Sequence, residues 1–133
     1  MNDITATLAC VAIDFLDTAL VRRREIGQRY RAELSSLNKV KLLDYKEHWT
    51  PNYQIFPVHV EDREKFAHYM WDRNIQVNVN NRRNDVYEMF GGLCDLPNLK
   101  RADEDVILIP LHFDLTDEDV SRVIKNIKDY DNE

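Results

Sequence analysis

Apolar residues at Ile4, Leu8, Val11, Ala12, Phe15, Ala19, Ile26, Tyr30 and Leu34 recur at three- and four-residue steps. That spacing predicts a long helix over 3–36. Gly27 lies inside it, where glycine costs about 1 kcal/mol against alanine, so the position marks either a weak point or close packing. Residues 4–20 are apolar on more than one face. A helix at the end of a small domain has little of its own to cover two faces, so this stretch is expected to pack on something outside the chain. The triplet Arg22-Arg23-Arg24 beside Glu25 opens the polar half and reads as a solvated face.

Short β-rich runs follow at residues 40–45 and 53–60, separated by a connection that Pro51 breaks. Pro57 cannot donate to a ladder, so the second run is expected at an edge or a bulge. Asp62 is placed to cap a helix carrying Phe66, Tyr69 and Met70, and Asn74 to end it in a left-handed conformation. Ile75, Val77 and Val79 then alternate with Gln76, Asn78 and Asn80, the pattern of a half-buried strand with one amide-rich face. Residues 80–104 read as a long loop with a helical turn near 86–90, and long structured loops are often functional. The unbroken apolar run 106–111 predicts a fully buried strand. Thr116 and Asp119 form a variant capping box, stapled by Leu115 and Val120, before a stripe of Val120, Val123, Ile124 and Ile127. The expected fold is α+β in one domain over 1–133: the long helix, then an α/β unit over 39–130. Its sheet is small and mixed, of about four strands covered by helices, with a parallel or split arrangement where the second helix links two strands.

Composition narrows the function classes. A net charge of −6 disfavours nonspecific binding to nucleic acid or to anionic membranes. No apolar run reaches the roughly 18 residues of a membrane span, and Met1-Asn2-Asp3 lacks the basic start of a secretory signal. Cys10 and Cys94 are too few for a disulfide framework and read as buried thiols in a reducing, cytoplasmic setting. His48, His59, His68 and His112 show no metal-ligand spacing. A Cys94–His112 nucleophile pair is conceivable but lacks a local motif, and Gly91-Gly92 opens no helix that would cradle a phosphate. The densest polar cluster is Asn78, Asn80, Asn81, Arg82, Arg83, Asn84 and Asp85. Amide and guanidinium groups suit hydroxyl-rich or phosphate-bearing ligands, and equally a hydrated turn.

Several segments in order carry a resemblance. Met1-Asn2-Asp3-Ile4 opens the long helix. Arg22-Arg23-Arg24-Glu25-Ile26 with Tyr30 continues it. Arg83-Asn84-Asp85-Val86-Tyr87-Glu88-Met89-Phe90-Gly91-Gly92 lies in the long loop. Ile109-Pro110-Leu111-His112 and Leu115-Thr116-Asp117-Glu118-Asp119-Val120 close the chain. Together they resemble the C-terminal part of the DegT–DnrJ–StrS group of sugar-nucleotide aminotransferases. That group has fold type I, uses pyridoxal phosphate (PLP), and moves an amino group, typically from glutamate, onto a nucleotide-linked keto sugar. The resemblance implies that the Schiff-base lysine and the acidic partner of the pyridine nitrogen lie upstream of Met1. None of Lys39, Lys41, Lys46, Lys65, Lys100, Lys125 or Lys128 looks placed to replace that lysine. It also implies substrate contacts from Arg83, Asn84, Asp85 and Tyr87, with Asn78 and Asn80 as second choices. Relatives commonly bring a histidine near Asn78, which leaves the sugar class open. Expected partners are a second copy through residues 4–20 or the missing large domain, with a nucleotide sugar as ligand. The alternative is a stand-alone, non-catalytic binding or interaction module.

Overall fold

The computed structural model describes residues 2–46, 48–79, 83–91 and 96–133. Helix α1 spans Asp3–Asp14 and starts where the Asn2 side-chain oxygen accepts the Thr5 amide at 2.9 Å. Helix α2 spans Leu16–Leu34. The single helix expected over 3–36 is therefore broken at Phe15, with a bend of 54°. Neither proline nor glycine marks the break; the Phe15 amide turns back to the Ala12 carbonyl at 3.3 Å, a 3₁₀-type tightening. The course of α2 is set by Ile26, Tyr30 and Leu34, which are buried in the core, whereas α1 buries nothing. Leu8 and Ile13, roughly 140° apart on the helix, are each 66% exposed. No residue of α1 is buried by the rest of the described chain. Among the described residues no single helix is long and apolar enough to cross a membrane; α1 and α2 pass that test only as a bent pair.

The sheet is antiparallel throughout its described strands: β1 (Val40–Leu42), β2 (Phe56–Val60) and β3 (Val106–Ile109), in the order β1-β2-β3. The fourth strand expected over 75–79 reduces to one bridge, in which Asn78 and Leu108 exchange backbone hydrogen bonds at 3.1 and 2.7 Å. That segment also runs antiparallel to β3, so the parallel or split arrangement is replaced. Pro57 sits in the central strand rather than at an edge. Leu108, opposite it, spends its amide and carbonyl on Asn78, so Pro57 faces away from β3, and β1 has already ended at Leu42, which pairs with Val58. No ladder bond is lost to the missing N–H. Burial alternates along β3 instead of being complete, because only one face of the sheet meets the core.

Val40, Phe56, Val58, Val60, Ile107 and Ile109 present that inner face to the buried sides of α2, α3 (Arg63–Trp71) and α5 (Asp117–Asn132). Asp62 caps α3 as expected, and Asn74 follows it at φ 55°, in the left-handed region. The capping box on α5 forms in both directions, Asp119 N to Thr116 Oγ1 at 3.1 Å and Thr116 N to Asp119 Oδ2 at 3.2 Å. Val120, Val123, Ile124, Ile127 and Tyr130 are its buried stripe. Helix α4 (Pro97–Asp105) replaces the end of the expected long loop. It buries none of its residues and carries few large apolar side chains; Pro97 in its first turn was the available signal.

Two close fits seat α2. A β-carbon at Gly27 would lie 2.6–2.8 Å from ring carbons of Tyr53. Tyr53 is itself held at φ 48° and stacks on Phe56 with centroids 5.9 Å apart. The helix runs unbroken through Gly27, so close packing is the reason for the glycine. One turn on, Tyr30 meets Phe56 edge-on at 5.1 Å and donates its hydroxyl to the Pro110 carbonyl at 2.8 Å. The arginine triplet is not simply a solvated face. Arg22 donates to the Leu115 carbonyl and to Asp117, each at 2.8 Å, and Arg23 lies 6.0 Å from the Phe113 ring. Arg29 to Ser121 at 2.8 Å and Lys128 to Glu33 at 2.9 Å continue this polar seam between α2 and α5. Exposed pairs of this kind contribute about 0–1 kcal/mol each, so they fix register more than stability. Cys10, expected to be buried, is exposed, because α1 has no cover.

Two outcomes follow. Gly27→Ala gains about 1 kcal/mol of helix propensity but meets an overpacking cost of about 1–3 kcal/mol. Urea denaturation should show a lower midpoint; an unchanged or raised midpoint would contradict the Tyr53 fit. The second concerns acid. The hydrogen bond from Arg22 holds Asp117 below the ordinary carboxylate range, that from Thr116 does so for Asp119, and those from Lys128 and Arg29 for Glu33. Burial pushes Asp131 up, but the amides of Asn38, Lys39 and Val40 outweigh it and its pKa is also lowered. Depressed carboxylates stabilise the fold above their unfolded values of about 3.9–4.3, and that stability is lost as pH falls through the folded values. The urea midpoint should be flat down to about pH 5 and fall below about pH 4. Asp131→Asn should lower the neutral midpoint and make the acid fall shallower; an unaltered acid limb would count against its role.

Candidate functional site

The loop singled out by the sequence turns twice before α4. Tyr87 N donates to the Asn84 carbonyl at 3.2 Å, and a 3₁₀ turn at Glu88–Phe90 ends on Gly91 at φ 97°, where a side chain would be strained. Arg83 Nε donates to Asp85 Oδ1 at 2.9 Å, and Nη2 donates to Asp85 Oδ2 in the same fork. Their side chains are only 15% and 6% exposed. The guanidinium holds the Asp85 carboxyl below its usual range, and Asp85 in turn raises Arg83. Asp103 and Glu104 of α4 add to the negative field around Arg83. A phosphate at Arg83 would have to displace its present partner within acidic surroundings. The fork instead braces the loop, leaving Asn84 exposed and Tyr87 47% exposed at its surface.

Asn78 lies elsewhere, on the bridge to β3. Its side-chain oxygen accepts the Val79 amide at 2.8 Å. It lines two hollows, one of about 390 Å³ bounded by Asn74, Gln76, His112 and α5, the other of about 560 Å³ bounded by α3 and Ile107. Arg83, Asn84, Asp85 and Tyr87 line neither of these two hollows. Asn80, Asn81, Arg82, Gly92 and Cys94 fall outside the described residues. The four histidines sit on separate elements: His48 before β2, His59 in it, His68 on α3, and His112 after β3. Sequence reasoning missed the contribution of α5, where Asp119 and Arg122 face the amide row across the smaller hollow. Their helical positions on the exposed side of the buried stripe were the available signal.

A chain that holds PLP needs a desolvated or charge-paired lysine and an acid for the pyridine nitrogen. All seven lysines here are exposed or half-buried, and Asp85, whose side chain is enclosed, is taken by Arg83. Lys128 is taken by Glu33, Lys41 donates to the Leu37 carbonyl at 2.8 Å, and Lys46 lies 5.7 Å from the Trp49 ring. The described residues do not fit PLP as a group held by this chain alone.

Comparison with known proteins matches residues 1–128 to the DegT/DnrJ/EryC1/StrS aminotransferase family. A dTDP-4-dehydro-2,3,6-trideoxy-D-glucose 4-aminotransferase of Saccharopolyspora spinosa is 30% identical over 92% of this chain and 32% of its own length. A dTDP-4-amino-4,6-dideoxy-D-glucose transaminase of Shigella dysenteriae is 21% identical over 97% and 38%. Among solved structures, the aminotransferase TlmJ of Streptoalloteichus hindustanus superimposes with a TM-score of 0.90 at 27% identity, over 97% of this chain and 36% of that one. A Streptococcus pneumoniae protein of this fold, 23% identical, has been solved in PLP and PMP forms. The chain thus spans about a third of the length of the relatives it matches. With a family match over nearly its whole length and the matching α+β fold, the chain belongs to the DegT/DnrJ/EryC1/StrS aminotransferase family.

Proposed function

We propose that this chain serves as the C-terminal small domain of a sugar-nucleotide aminotransferase, on the substrate side, and that the lysine and acid for PLP come from polypeptide beyond these residues. The reaction of the whole would be amino transfer, typically from glutamate, to a keto sugar carried on a nucleotide. PLP supplies the electron sink when bound. This chain's residues would bind and orient the sugar. Asn84 and Tyr87 are available for that at the loop surface, Arg83 and Asp85 hold the loop, and Asn78 belongs to a separate hollow.

The observation that carries this reading is α1. It exposes large apolar side chains on opposite sides, and isolated soluble domains rarely leave such contiguous surface uncovered. Ile4, Leu8 and Val11 share one exposed stripe of α1 and Ile13 lies opposite it, a surface that a partner body can cover. In the full assembly that body is the catalytic portion. In the isolated chain a second copy takes its place, giving a homodimer through residues 4–20.

Sedimentation equilibrium tests this. The chain should self-associate, and Leu8→Glu with Val11→Glu should weaken association by about tenfold or more while leaving the far-ultraviolet circular dichroism intact. A wild-type chain that stays monomeric at high concentration would contradict the reading. Incubated with PLP and passed through gel filtration, the chain should retain no visible absorption; a retained band lost on substitution of a single lysine would overturn it.

A further inference from the structure

The three consecutive arginines of α2 do not fare alike. Arg22 is taken by Asp117, Glu25 and the Leu115 carbonyl. Arg23 and Arg24 are half-buried, and each encloses an Nε that meets no acceptor. Arg23 lies 6.0 Å from the Phe113 ring. Arg24 has no hydrogen bond, ion pair or aromatic ring to itself among the described residues. A guanidinium is a planar fork that matches a carboxylate, so an unpaired one at a helix surface invites an acidic partner. Asp17, one heptad earlier, is exposed and likewise has no ion pair among the described residues.

Asp17, Leu20, Val21 and Arg24 follow the i, i+3, i+4, i+7 spacing of a single helix face. At about 100° per residue, each stands roughly 120–180° round from Ile26, so this face looks away from the side of α2 that enters the core. Val21 is 55% exposed and Leu20 half-buried. The face therefore reads acid, two apolar residues, base, and that order is self-complementary. A two-fold interface presents the same patch from both copies. With the axis passing between Leu20 and Val21, antiparallel pairing sets Leu20 against Val21 of the other copy and Asp17 against its Arg24, twice over. Parallel pairing would set Arg24 against Arg24 and be opposed by like-charge repulsion. We infer that this face of α2 is a self-recognition surface, on which a second copy of the chain docks antiparallel and two reciprocal Asp17–Arg24 ion pairs fix the register. The inference rests on the proposed self-association through residues 4–20, and it supplies the orientation that the apolar side chains of α1 leave open.

Sedimentation equilibrium on the full chain tests it with Asp17→Lys, with Arg24→Glu, and with an equimolar mixture of the two. Each variant alone should dimerise about tenfold more weakly than wild type, because two like-charge contacts replace two ion pairs. The mixture should recover the wild-type affinity as a heterodimer: the introduced lysine meets the introduced glutamate, and the remaining Arg24 meets the remaining Asp17. Recovery of that kind cannot come from a chain that has lost its fold. Asp17→Lys also reduces the negative charge of a chain at −6, so general repulsion between copies would make it associate more tightly, and weakening reports the register instead. A mixture no tighter than its components, or an Asp17→Lys chain that dimerises as well as wild type or better, would overturn the inference. If Leu8→Glu with Val11→Glu still weakens association in that case, the covering of α1 stands and only this alignment falls.

Discussion

The seating of the second half of α2 on the sheet governs the rest of this chain. Gly27 lets the Tyr53 ring lie against the helix backbone, Tyr53 stacks on Phe56, and Tyr30 closes on the same ring while reaching the Pro110 carbonyl. These contacts join α2, the entry to β2 and the exit of β3 at one place. Tyr53 accepts a left-handed backbone there, a conformation costly for a large side chain, and the surrounding packing holds it. Burial pushes the Tyr30 phenol far above its ordinary value, in keeping with a hydroxyl committed to a buried carbonyl.

From that anchor the molecule divides along its first two helices. Past Arg22 every turn of α2 is tied down, by the core on one side and by the seam to α5 on the other. Before it, α1 turns away and buries nothing. The chain therefore combines a complete core with an apolar helix that has no counterpart in it. The chain spans about a third of its relatives' length, and its lysines are exposed or half-buried.

Elements with strong periodicity or explicit caps were legible in the sequence. Asp62, Asn74, Thr116 and Asp119 signal the ends of α3 and α5 through local hydrogen bonds that need no tertiary context. The break at Phe15 was not legible, since it follows from which residues find a core rather than from a breaker. The tolerance of Pro57 in a central strand depends on where β1 stops, and Val77 and Val79 read as a full strand although, among the described residues, only Asn78 of that segment pairs. At the candidate site, the residues of the loop could be named but not their mutual satisfaction. Arg83 looked free for an anion because the sequence does not show that Asp85, two residues away, folds back to fill its fork. The hollow beside Asn78 joins segments thirty or more residues apart, and only the fold brings Arg122 to the amide row.

Native-state hydrogen exchange on the monomeric Leu8→Glu, Val11→Glu variant tests most directly whether the core ends where α2 begins. Amides from Ile26 to Leu34 should exchange only through global unfolding, while those within Asp3–Asp14 should exchange as a fraying helix, orders of magnitude faster. Equal protection along both helices would mean that α1 is part of the domain's own core, and the division between a self-sufficient fold and an exposed docking helix would fail.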